Sequence, residues 1–173
     1  MFYKPHNFSD IVNGEKDFDG AYLPLALFSF GTFYYDNGKI DETEVPSTYL
    51  DLLDAKWKGK LILTYPNDDD AITYLFSIIT SKYGFAWLEG LAQQDVEWVR
   101  GTATPFMMLS EGTANKSSQR ALSFTTTHLD NFSSRIVSKN PTQEEYMSWY
   151  QKTAIFESTS CPDSAKLFIA WRF

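Results

Sequence analysis

Two patterns alternate along Pro46 to Thr104. Leu61, Ile62 and Leu63 form a short apolar run between Lys60 and Tyr65-Pro66. A run that brief, apolar at successive positions, reads as a strand buried on both faces, the habit of parallel sheets. Asn67 to Asp70 then open a helix, since short acidic and amide side chains cap the first turn and complement the macrodipole. Its apolar stripe passes through Leu75, Ile78 and Ile79, and Trp87, Leu88 and Leu91 continue the helical pattern. Val96 to Val99 is a second strand. It runs into a polar turn, Arg100-Gly101-Thr102-Ala103-Thr104, and a helix opened by Pro105. Strand, helix, strand, helix is the order of an α/β domain.

The flanks extend the pattern. Met1 to Gly20 reads as a lead-in with turn signals at Asn13-Gly14 and Asp19-Gly20. Ala21 to Tyr35 is an extended aromatic segment closed by an Asp36-Asn37-Gly38 turn. Ser47 is the expected N-cap of a short helix carrying Leu50, Leu52 and Leu53. The helix through Met107, Met108 and Leu109 is expected to end at Gly112, a natural C′ residue. Ala121 to Thr125 is a third short strand, followed by a polar stretch from Thr126 to Ser134. Thr142 with Glu145 matches a capping box, predicting a helix that carries Tyr146, Met147 and Trp149. Thr153 to Phe156 is a strand, and Pro162 opens a last helix with Ala165, Leu167, Phe168 and Trp171 on its apolar stripe. The expected core comprises Leu61, Leu63, Leu75, Ile78, Trp87, Leu88, Val96, Val99, Phe156 and Leu167.

Composition narrows the function classes. A chain of 173 residues with 43% hydrophobic positions holds one domain with a core and is not a disordered chain. The net charge of −7 argues against nucleic acid as a partner, because phosphate contacts need clustered Lys and Arg. Cys161 stands alone and forms no internal disulfide, and His6 and His128 lack ligand spacing to it, so no structural zinc site is expected. No cofactor is expected, nor membrane insertion, since no apolar run approaches a span. Sequons at Asn7, Asn115 and Asn131 are compatible with a secreted glycoprotein and are also common by chance in Ser/Thr-rich sequence. The amino-terminus has no signal-peptide apolar region.

Several phrases carry a family resemblance. Pro46 to Lys60, PSTYLDLLDAKWKGK, resembles the phrase P-x-x-W/Y-x-D-L-L-D-P-x-W-K-G-K of the extracellular solute-binding proteins of ABC-type uptake systems, with Ala55 where proline is usual. LTYPNDDDAITYLF, EWVRGTATP and TAIFESTSCPDSAKLFIAWRF resemble further phrases of the iron/spermidine/thiamine-like branch, and most of all its fungal-looking members. The resemblance implies an α/β three-layer sandwich with a mixed, mainly parallel sheet, like one lobe of a type II periplasmic-binding protein. On that reading residues 1–20 are a lead-in and 21–173 a single lobe with hinge segments, truncated at both ends relative to the family. It also implies an extracellular location.

The candidate site follows from the strand-to-helix turns. Arg100, Gly101, Thr102 and Thr104 offer a charge, a close backbone approach and caps before Pro105, which together favour a carboxylate or phosphate; the alternative is an ordinary capped helix with Arg100 in a surface ion pair. Asn67 and Asp68 face the same edge if the two turns emerge together, although acidic groups there also serve the helix dipole, and a polyamine or metal is the other reading. Tyrosine is an iron ligand in some relatives, which brings in Tyr34; Tyr34 and Tyr35 point to opposite faces of a strand, and core packing is the favoured reading. Trp149 could line a cleft, with Gln151 beside it, against the default of a core Trp. Cys161 beside Pro162 is read as unreactive. With no nucleophile–base pair, P-loop, GxSxG or HExxH pattern, the chain is expected not to be an enzyme. The expected function is binding of a small, anionic organic ligand. The competing reading is a degenerate lobe that self-associates as a homodimer.

Overall fold

The computed structural model describes residues 17, 19, 21–112, 119–129 and 134–172. The three sequons lie outside these residues. The described strands are β1 (Leu23–Phe30), β2 (Phe33–Asp36), β3 (Ile62–Thr64), β4 (Glu97–Val99), β5 (Leu122–Ser123), β6 (Ile136–Lys139) and β7 (Met147–Thr153). The helices are α1 (Asp70–Tyr83), α2 (Phe85–Ala92), α3 (Thr104–Glu111) and α4 (Pro162–Arg172). The chain clusters into two compact units, Ser29–Met147 and the flanking Met1–Phe28 with Ser148–Phe173.

The larger unit is a mixed sheet between helices. β3 and β4 pair in parallel, with Leu63 opposite Trp98 and Thr64 opposite Val99. β2 lies between β5 and β6 and is antiparallel to both. A parallel bridge from Leu61 to Leu122 joins the two pieces. Parallel and antiparallel pairings are therefore both present, and the expected α/β class holds. On one face Tyr34, Ile62 and Ile136 pack against Phe106 and Leu109 of α3. On the other, Phe124 meets Phe33, Tyr49, Phe76 and Trp87 at ring separations of 5.5–6.5 Å, which seats α1 and α2. Adjacent residues such as Ile62 and Leu63 serve opposite faces, which explains why the strand is apolar at every position.

Local signals start and stop the helices as chain chemistry dictates. The Asp69 carboxylate caps α1 by accepting from the Ala71 amide at 2.8 Å. α3 ends at Gly112, whose φ of 66° is the left-handed cap that glycine adopts without steric cost. The reciprocal cap of the Ser47 region sits one residue later than expected. Asp51 Oδ2 accepts from the Thr48 amide at 2.9 Å, and the Asp51 amide returns a bond to Thr48 Oγ1 at 3.2 Å.

Three expectations are corrected. The helix at Thr142 is absent, and Met147–Thr153 is a strand paired with β1. A long-range partner takes the Thr142 amide that a capping box would use, since Thr142 N donates to Ser47 O at 3.2 Å, and the Glu145 carbonyl is held by the Tyr49 hydroxyl at 3.1 Å. The strand expected at Thr153–Phe156 ends at Thr153, where β7 itself ends. Phe156 and Leu167 are not core residues, being 79% and 72% exposed. The smaller unit offers one strand pair and α4 among the described residues, and of α4 only Ile169 is buried. Ile78, Leu88 and Val99 are half-buried, and the remaining expected core positions are buried.

Candidate functional site

Because β3 and β4 are parallel and in register to Thr64 and Val99, both chains leave the sheet at one edge. The turn after β3 carries Asn67 and Asp68, and the turn after β4 carries Arg100 to Thr102. The bridge to Leu122 makes β5 parallel to β3, so Thr125 and Thr126 emerge at that edge as well. Three strand ends thus converge beside the first turns of α1 and α3, where the helix dipoles favour negative charge.

Hydroxyls lock the convergence. Thr64 N donates to Thr125 Oγ1 at 2.7 Å, and Thr64 Oγ1 donates to Gly101 O at 3.1 Å. Thr126 Oγ1 donates to Thr102 O at 2.7 Å and accepts from the Phe106 amide at 3.2 Å. The α3 start is therefore capped from a distant strand end, while Ala103, its N-cap, makes no side-chain cap bond. Thr102 and Thr104, expected as caps, do not serve that role. These bonds fix the Gly101–Thr102 turn to a buried framework, since Thr64, Thr125 and Thr126 are fully buried.

Gly101 takes φ 82°, a backbone shape that glycine alone adopts freely. A Cβ there would lie 3.0 Å from Thr104 Oγ1, so that hydroxyl sits over the turn. The Gly101 amide donates to Asp68 Oδ2 at 2.6 Å. Arg100 Nη1 stands 3.8 Å from Asp68 Oδ1, with the arginine side chain 86% exposed. Four expected site residues, Asp68, Arg100, Gly101 and Thr104, thus come together with half-buried Thr102 and exposed Asn67 at one edge.

Of the other two expected site residues, one is in the core of the larger unit and one belongs to the smaller unit. Tyr34 is a core side chain, 5% exposed, edge-on to Phe106 at 5.8 Å. Burial pushes its hydroxyl pKa up, partly offset by a hydrogen bond from the His128 backbone. Trp149 belongs to β7 of the smaller unit and is half-buried. Among the described residues no group of three or more His, Cys, Asp or Glu side chains could hold a metal. Cys161 is exposed. Sequence reasoning missed Thr64, Thr125 and Thr126. The signal was available: a run of threonines directly after a third short strand repeats the strand-then-polar-turn pattern of the other two.

Comparison with known proteins bears on the family and the fold. The family described as bacterial extracellular solute-binding protein matches residues 3–143. The periplasmic binding protein AfuA from Actinobacillus pleuropneumoniae, with exogenous fructose-6-phosphate bound, superposes with a TM-score of 0.65 at 15% identity, over 99% of this chain and 56% of its own. Apo ferric ion-binding protein A of Pasteurella haemolytica gives 0.62 at 14% identity, over 100% and 58%. A periplasmic thiamin binding protein gives 0.61 at 15%, over 99% and 54%. The chain spans a little over half the length of these structures, and at such identities they establish the type II periplasmic-binding fold. No curated protein matches it by sequence. Among the described residues no helix is long and apolar enough to cross a membrane.

Proposed function

This chain belongs to the bacterial extracellular solute-binding protein family, and on that premise we propose that it binds a small anionic organic solute at the shared edge of β3, β4 and β5. The Gly101–Thr102 turn and Arg100 receive the anionic group where the Asp68 carboxylate lies, with Asn67 and Thr104 around it. One observation carries the reading: the Gly101 amide already holds a carboxylate at 2.6 Å, that of Asp68. A turn that accepts a side-chain carboxylate in this geometry has the donors for a ligand's. The neighbouring structures are named for a sugar phosphate, ferric ion and thiamin, so this fold accommodates unlike ligands.

The role is binding rather than catalysis, in keeping with the family description, and the location is extracellular. A thermal-shift screen against carboxylates, phosphates, polyamines, thiamine and ferric ion tests the proposal, because a ligand specific to the folded state must raise Tm. A rise with phosphates or carboxylates supports it; a rise confined to polyamines or ferric ion would replace the anion by a cation.

Self-association is a second reading favoured by one observation. Phe156, Leu167, Phe168 and Trp171 are all exposed large apolar side chains of the smaller unit. Apolar surface of that kind is characteristic of interfaces. Sedimentation at micromolar to high micromolar concentration tests it, and a strictly monomeric mass would remove the homodimer.

A further inference from the structure

Asp68 stands where the proposed ligand's anionic group would stand. One carboxylate oxygen takes the Gly101 amide at 2.6 Å and the other lies 3.8 Å from Arg100 Nη1. The backbone that delivers it is held on both sides. The Asp68 amide donates to Tyr65 O at 3.1 Å, closing the turn after β3, and Asp69 caps α1. The carboxylate side chain is 16% exposed, far less than the arginine it faces.

We infer that Asp68 sets the specificity of this edge as a tethered internal occupant, which an anionic ligand displaces in order to bind. The inference rests on the anion-binding reading. Two like charges do not share one amide donor, so the ligand and Asp68 compete. A tethered group competes at high effective concentration, which a single carboxylate of equal chemistry does not overcome. A phosphate dianion brings more charge and three acceptor oxygens, and it therefore displaces Asp68 where a monocarboxylate fails. Asp68 thereby filters weak monoanions from the site.

The test is calorimetric titration of the full chain, Asp68→Asn and Asp68→Ala with inorganic phosphate and with acetate. Asparagine keeps the side-chain shape and removes the charge, and alanine removes the acceptor as well. The expected result is phosphate binding to the wild-type chain with acetate undetected. Both variants should bind phosphate at least tenfold more tightly and should gain acetate binding. The Gly101 amide resonance of the wild-type chain reports the same displacement without a substitution, shifting as phosphate saturates. Phosphate binding that is equal or weaker in both variants overturns the role of Asp68 and leaves the binding reading standing. No phosphate binding in any of the three overturns the anion-binding reading and this inference together.

Discussion

The Tyr49 hydroxyl lies 2.4 Å from the point a Cβ on Gly31 would occupy, and it donates to the Gly31 carbonyl at 3.1 Å. Gly31 has φ 94°, so its missing side chain meets both a strain and a space requirement. The same hydroxyl also reaches the Glu145 carbonyl at 3.1 Å, tying together two segments distant in sequence. Gly31→Ala is expected to cost about 2–4 kcal/mol from overpacking and the left-handed backbone. Urea unfolding measures it. Tyr49→Phe in the same chain should make the two costs less than additive, because the hydroxyl is the nearer of the clashing atoms.

Leu63 is fully buried and shares its sheet face with Trp98, which meets Phe76 of α1 at 6.3 Å. Leu63→Ala is expected to cost about 2–5 kcal/mol. Leu167, 72% exposed, should cost under about 0.5 kcal/mol on the same change at concentrations where the chain is monomeric. The contrast between the two leucines tests the corrected core.

Arg120 is buried with Glu97 Oε2 at 3.3 Å and Asp95 Oδ2 at 3.5 Å. Removing one partner of a buried pair leaves charge uncompensated. Glu97→Ala is expected to cost toward the lower end of about 3–5 kcal/mol, since Asp95 remains. Chemical denaturation of the variant gives the value.

Asp51 has its carboxyl pKa lowered overall. Burial raises it, but the amide and hydroxyl of Thr48, the Ser47 amide and the Lys56 charge together outweigh burial. A depressed folded-state value adds stability above the unfolded pKa of about 3.9, and that stability is lost as pH falls through the folded value. Asp51→Asn keeps an acceptor oxygen and loses the charge, so it should be less stable than the wild-type chain at pH 7 by about 1 kcal/mol, the difference between charge-assisted and neutral hydrogen bonds. The gap should close below about pH 4. Thermal unfolding across pH 3 to 7 follows the convergence.

Much of this molecule was legible from local chemistry. The apolar run at Leu61–Leu63, the acidic start at Asn67–Asp70 and the Pro105-to-Gly112 helix each depend on neighbours within a turn or two. The failures are places where distant contacts decide. Thr142 and Glu145 fit a capping box, yet their partners are Ser47 and Tyr49, and the segment after them pairs with β1. Phe156 and Leu167 read as core because apolar side chains are usually buried, a rule that holds only where other elements cover them. At the site, spacing placed Arg100, Gly101 and Asp68 at one edge, but no sequence pattern signals that Asp68 bonds the Gly101 amide. Nor does one signal that Thr126 reaches across to cap α3, since both bonds depend on strand order.

Arg100→Ala decides whether an anion binds at the turn after β4. Phosphate affinity is to be titrated by calorimetry for the wild-type chain and this variant, with Tm recorded for both. Binding should weaken by about 1.5–3 kcal/mol, the scale of a charge-assisted hydrogen bond, with Tm unchanged because the side chain is exposed. Phosphate binding of equal strength in the two proteins would contradict it.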